Sequence, residues 1–178
     1  FPMERSSDGS WSVGFPGDCE GVLYSFALHK KDASGTAYEQ PLVDPYARAM
    51  AGRRGPGIAF SARATSSESK RFQPPAMEDA VVVEAHLRDL LSDAPFELGE
   101  QERMGFVGLS RWLRSPDCYL RRLGANVVEL QPVFEFDART KEEYHWGYMP
   151  VNFFSPASVY ATDPLNGSAI EEFRSEEH

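Results

Sequence analysis

The sequence predicts an α/β plus β chain: a parallel β-α-β unit preceded by part of an antiparallel β-sandwich. Two mostly apolar, Val-rich runs at 80–86 and 126–133 have the character of strands covered on both faces. Between them, residues 105–123 place Leu109, Trp112, Leu113, Tyr119, Leu120 and Leu123 at helical spacing. A helix-length crossover between two strands pairs them in parallel. Upstream, Trp11 and Val13, then Val22, Tyr24 and Phe26, alternate with other residues between turn signals, which is the strand period.

Taken in order, residues 8–28 are expected to be β, with turns at Asp8-Gly9 and Pro16-Gly17-Asp18 and two short strands joined by the second turn. Such a hairpin is marginal alone, so further strands before Phe1, or another surface, are expected to cover it. Asp44 can cap a short helix with Pro45 at its first position. Residues 52–76 are rich in Gly, Ser, Arg and Pro. They predict a connection with one short strand, 57–62. The domain reading is therefore a partial sandwich over 1–62, a linker over 63–79 and the α/β part over 80–178. Pro116 is expected to break the helix at 105–123, and Gly124 to stop it. An amphipathic stretch at 169–174 begins a further helix.

The composition, 42% hydrophobic and 25% charged, is that of a globular chain. With 18 Lys and Arg against 27 Asp and Glu, the formal charge is −9. That balance disfavours nucleic acid and anionic membranes, because phosphate binding needs concentrated cations. It suits a neutral ligand such as a glucan. No run of about 18 apolar residues is present, so no membrane-spanning helix is expected. No secretory signal is expected in the first residues. Cys19 and Cys118 are widely separated, in no metal-like spacing, and are expected as free thiols in a reducing, cytoplasmic compartment. No cofactor or metal is expected. The first residue is Phe1 rather than Met, so a piece of a longer polypeptide is expected.

The segment from Tyr144 to Pro156 packs five aromatic rings, two prolines and one glycine into thirteen residues. It follows the second apolar run and predicts an aromatic loop. Flat rings with polar tips hold a sugar by stacking on its C–H faces and bonding its hydroxyls.

The residues also carry a family likeness. Residues 74–88, with Glu84-Ala85-His86-Leu87-Arg88, resemble the first barrel strand of the debranching branch of the α-amylase superfamily. Residues 123–136 resemble the second strand. Tyr144-His145-Trp146-Gly147-Tyr148-Met149-Pro150 is similar to the Tyr-Asn-Trp-Gly-Tyr-Asp-Pro signature of the pullulanase type, with His145 and Met149 departing from it. Asn152-Phe153-Phe154-Ser155-Pro156 resembles the isoamylase and glycogen-debranching types. Residues 158–164 continue as both do, and residues 8–26 and 41–47 resemble the later half of a starch-binding sandwich. The resemblance implies a partial (β/α)8 TIM barrel, of which the β-α-β unit is the beginning. It implies retaining hydrolysis of α-1,6-glucosidic branch links in glycogen, starch or pullulan by two carboxylates about 5 Å apart. Those carboxylates are expected downstream, so no catalytic residue is assigned and the chain alone is expected to be inactive. A non-catalytic carbohydrate-binding module, or a segment of a branching or trehalose-forming enzyme, are the alternatives.

By resemblance Tyr148 stacks under the glucose at the cut bond; otherwise it is a core tyrosine. Trp146 either packs on the strand end or lines the cleft, and His145 is lining or solvated. His86 lies at a strand end, where barrel sites are built, and is a site residue or a hydrogen-bonded core histidine. Glu84, Glu129, Glu135, Asp137, Glu142 and Glu143 are candidates by type only, with Glu129 expected as a structural residue with a buried partner. Trp11 and Tyr24 are expected in the core rather than as a sugar platform. Arg139, Lys141, Glu142 and Glu143 predict a solvated run. The expected partner is thus an α-glucan, and self-association is expected because a two-strand piece cannot close a barrel and leaves Val81, Val83, Val127, Val128 and Leu130 facing nothing.

Overall fold

The computed structural model describes residues 1–61, 73–92, 94, 97–100, 102–140 and 142–174. Most of the expected linker, residues 63–72, lies outside the described residues, as do Ala62 and Lys141. Strands β1 (Glu4–Arg5) and β2 (Trp11–Ser12) pair antiparallel. Asp8 closes their turn: its Oδ1 accepts from the Ser10 backbone N–H at 2.9 Å and the Ser10 hydroxyl at 2.7 Å, an Asx arrangement.

The Pro16-Gly17 turn does not join the Trp11 run to the Val22 run, which corrects the expected hairpin. Instead β3 (Leu23–Tyr24) pairs antiparallel with the distant β6 (Gly57–Ile58). Between them β4 (Phe26–Lys31) and β5 (Ala37–Leu42) form a six-pair hairpin. Asp32 closes it, accepting from Ser34 N–H, Ser34 Oγ and Thr36 N–H. The β1–β2 pair and β4 bury little, whereas β6 is buried. β4 is exposed throughout, and Trp11 is 60% exposed, a correction to its expected core place. β2 is two residues long and exposed at both, too short to present an inner face. Nor does Pro45 start a helix. Asp44 Oδ1 accepts the Tyr46 N–H at 2.8 Å and makes a turn there, and the expected strand at 57–62 ends at Ile58.

Beyond a 3₁₀ turn at Met77–Asp79, β7 (Val82–Ala85) runs parallel to β8 (Val127–Leu130), Val82 opposite Val127 and Ala85 opposite Leu130. Asn126 fixes this register. Its Oδ1 accepts the Val81 N–H and its Nδ2 donates to the Asp79 carbonyl. The crossover carries α1 (Leu87–Ser92), a 3₁₀ turn (Glu102–Met104), α2 (Phe106–Arg114) and α3 (Tyr119–Arg122). The break between α2 and α3 falls at Pro116, and Gly124 (φ +76°) ends α3. Gly108 is required by a close approach, since a Cβ there would meet the Glu102 carbonyl oxygen at 1.8 Å.

Leu87, Leu90, Leu91, Phe106, Leu109 and Trp112 form the core, with Val83, Ala85, Val128 and Leu130 packed against it. The other face of the pair carries Val82, Glu84 and Glu129, all exposed. Glu129 is therefore not a buried structural carboxylate; the period of two turns it outward from the helices.

The expected aromatic loop is only half a loop. Pro150–Pro156 forms β10, antiparallel to β9 (Phe134–Phe136), with irregular register on either side of Asn152. A 3₁₀ turn (Ser158–Tyr160) and α4 (Ser168–Arg174) follow. The N-terminal segment docks on this part. Ala49 and Ile58 pack with Ile170, the Arg174 guanidinium lies over the Phe60 ring, and Arg53 pairs with Asp137.

Candidate functional site

The segment 144–149 folds back over the carboxyl ends of β7 and β8, the end at which parallel sheets carry their sites. Two contacts put it there. At the end of β7, His86 Nε2 lies 3.0 Å from the His145 carbonyl oxygen. Just beyond β8, Gly147 (φ +84°) lies so close to Pro132 that a Cβ would meet the Pro132 carbonyl oxygen at 2.1 Å. Only glycine satisfies both that conformation and that approach.

The predicted site residues take different places in this arrangement. Tyr148 and Trp146 are 57% and 58% exposed, and Tyr144 and Met149 are exposed beside them. His145 is half-buried. Its ring stacks on Phe136 at 4.9 Å and 23°, and its Nδ1 accepts the Gly147 N–H at 2.9 Å. His86 is 4% exposed, so it stands behind the segment rather than on its surface. Its ring lies 5.1 Å from the Tyr144 ring, and its Nδ1 is 3.8 Å from Asp89 Oδ1.

Several supporting groups escaped the sequence reading. Tyr160 sits in the core with its hydroxyl 3.3 Å from His86 Nε2; burial pushes its phenol up to about 12. Arg88 donates to the Glu143 carbonyl at 2.9 Å and lies over the Tyr160 ring. The Tyr144 hydroxyl donates to Asp89 Oδ2 at 2.8 Å, and that bond raises the phenol's pKa. Tyr160 lies in the run 158–164 already singled out, but nothing local pairs it with His86.

Among the six carboxylates named by type, Glu135 alone is fully buried. Its Oε2 accepts the Ser158 N–H at 2.7 Å and its Oε1 the Ser158 hydroxyl at 2.9 Å. Burial raises it to about 7 against those two bonds. Asp137 is lowered, first by its hydrogen bond from Arg53. Glu84 and Glu129 face each other across β7 and β8 on the open face. Glu143 is spent on the Arg139 N–H at 2.6 Å. Among the described residues no group of three or more His, Cys, Asp or Glu could hold a metal ion, and no helix is long and apolar enough to cross a membrane. Cys19 and Cys118 are free thiols.

What this arrangement offers is a surface of exposed rings held on a buried support. Known proteins of this form exist. No protein-family model matches the chain. A pullulanase of Bacillus subtilis (strain 168) is 30% identical over 92% of this chain and 23% of its own length. The chloroplastic isoamylase 3 of Oryza sativa subsp. japonica is 28% identical over 85% of this chain and 22% of its own. The crystal structure of a pullulanase from Anoxybacillus sp. LM18-11, complexed with maltotetraose, superposes with a TM-score of 0.72 at 27% identity, covering 98% of this chain and 26% of that one. These relatives are debranching enzymes of the α-amylase family, and this chain spans about a quarter of their length.

Proposed function

We propose that this chain is a segment of an α-amylase-family glycoside hydrolase that cuts α-1,6 branch links in an α-glucan, and that Tyr148 and Trp146 seat a glucose unit of the substrate. The observation that carries this reading is the exposed aromatic segment held over the carboxyl ends of two parallel strands. An exposed phenol on a backbone held close by Gly147 can stack on a pyranose face at little entropic cost. His145, half-buried between Phe136 and the Gly147 amide, sits at the rim of that seat.

The finer assignment follows from the same reading. Residues 1–62 are a partial starch-binding type sandwich, 63–79 a linker, and 80–178 the start of a (β/α)8 barrel. The parallel register of β7 and β8 and the helical crossover between them support the last of these. Cleavage would follow the retaining route, which needs two carboxyl groups about 5 Å apart. Those groups belong to later strands, so this chain binds and does not cut. Free thiols at Cys19 and Cys118 suit a reducing compartment such as the cytoplasm.

Calorimetric titration of maltotetraose into the purified chain tests the seat. Binding is expected, and Tyr148→Ala is expected to weaken it about tenfold, the worth of roughly 1.4 kcal/mol of ring contact. Unchanged affinity in Tyr148→Ala and in Trp146→Ala would remove the reading. Incubation with pullulan is expected to release no reducing ends; release would refute the division of binding from cleavage.

A further inference from the structure

We propose that His86 is a positioning residue: its Nε2–H donates to the His145 carbonyl and fixes the height and tilt of the 144–148 segment, so that it shapes the glucose seat without touching the sugar. The inference rests on the glucan-binding reading of that segment and adds to it the residue that sets its geometry.

His145 O is a carbonyl and can only accept, so at 3.0 Å the proton belongs on Nε2 of His86. The Tyr160 oxygen, 3.3 Å from the same nitrogen, crowds it from the core side and leaves the ring little freedom to flip. Tyr160 is itself wedged between Phe106 and Phe136 at 5.6 and 5.7 Å. The outer side of the imidazole is covered by Tyr144, whose hydroxyl is tied to Asp89 in the first turn after β7. His86 Nδ1 makes no hydrogen bond and lies 3.8 Å from Asp89 Oδ1, so the ring bonds through Nε2, and the His145 carbonyl is the shorter of its two contacts there. A few residues' length of chain is then pinned at both sides, by His86 at the His145 carbonyl and by Pro132 against Gly147. Trp146 and Tyr148 project from between and beyond these two pins. Loss of the first pin lets the segment lift from the strand ends, and the rings lose their common setting.

His86→Gln and His86→Asn test this, since a Gln amide nitrogen reaches the place of Nε2 and an Asn amide nitrogen reaches only that of Nδ1. The readout without ligand is hydrogen exchange at the Gly147 amide, which is protected by its bond to His145 Nδ1. Protection is expected to fall about tenfold or more in His86→Asn and to stay near wild type in His86→Gln, with sheet amides such as Val83 and Glu129 unmoved in both. Equal protection at Gly147 in the two variants overturns the proposal. Nitrogen chemical shifts of isotope-labelled histidine in the unaltered chain give a variant-free check: at alkaline pH the proton is expected on Nε2 of His86, and a proton on Nδ1 overturns the proposal. Titration of maltotetraose then separates the two claims. If the chain binds no maltotetraose while Gly147 protection follows the Gln and Asn pair, the glucan reading falls and the pin stands. If maltotetraose binds with the same affinity to both variants, the pin does not govern the seat and the proposal fails.

Discussion

Glu135 is the residue whose chemistry is least expected from its neighbours. It lies between two phenylalanines in sequence, yet it is fully buried, while Phe134 is exposed. Burial raises its carboxyl to about 7 from an ordinary 4.5. The sign follows from proton counting. Below the ordinary value both folded and unfolded chains hold the proton, and the group costs nothing. As pH rises from there to about 7 the unfolded chain ionises first, so stability falls, by roughly 3 kcal/mol in total. Glu135→Gln keeps both bonds to Ser158, with Oε1 accepting the N–H and Nε2 donating to the hydroxyl, and removes the titration. Urea unfolding is expected to show the wild type losing stability as pH rises from about 4.5 to about 7, and Glu135→Gln staying flat and more stable at the upper end. A flat wild-type profile would mean that the carboxyl is not buried in this way.

At the scale of elements, the pairing of β9 with β10 explains both the burial of Glu135 and the path of the aromatic segment. Three residues of β9 are matched to Pro150, Asn152 and Pro156 of β10, so β10 carries extra residues and bulges. Asn152 is the staple of that bulge. Its buried Oδ1 accepts the Phe154 and Ser155 N–H groups, and its Nδ2 donates to the Asp44 carbonyl. Asn152→Ala leaves three backbone groups without that partner and is expected to cost roughly 3 kcal/mol, visible as a lowered denaturation midpoint. The bulge was not legible in the sequence, because an extra residue shifts the alternation from which faces are assigned. The elements that were legible are those whose burial is periodic: β7 and β8 by their Val-rich runs, α2 and α3 by Leu109, Trp112 and Leu120. α1 is six residues long and gives one turn and a half of period, too little to separate it from the end of a strand. The pairing of β3 with β6 is set by contacts far along the chain, which no local pattern records. The aromatic segment was legible by composition; its pin to His86 was not, since the two lie 59 residues apart.

For the molecule as a whole, the decisive feature is a parallel sheet of two strands. Such sheets are ordinarily covered on both faces, and among the described residues this one has helices on one face only. Val82 is 52% exposed on the other, and within the described residues β7 and β8 have no further strand beside them. An open edge and the exposed Val82 on the uncovered face favour joining with a second copy. Glu84 and Glu129 oppose this. They lie directly across from each other on that face, and like charges in register repel. The repulsion between exposed carboxylates is screened by salt, whereas burial of Val82 is not. Association is therefore expected to be weak in dilute buffer and to grow with ionic strength, seen by light scattering as a mass rising above the 19.9 kDa of one chain. Val82→Lys places a charge at the edge of the pair and is expected to hold the chain at the single-copy mass in high salt. A wild-type chain that stays at that mass at micromolar concentration across the salt range would show that this open face takes no second copy.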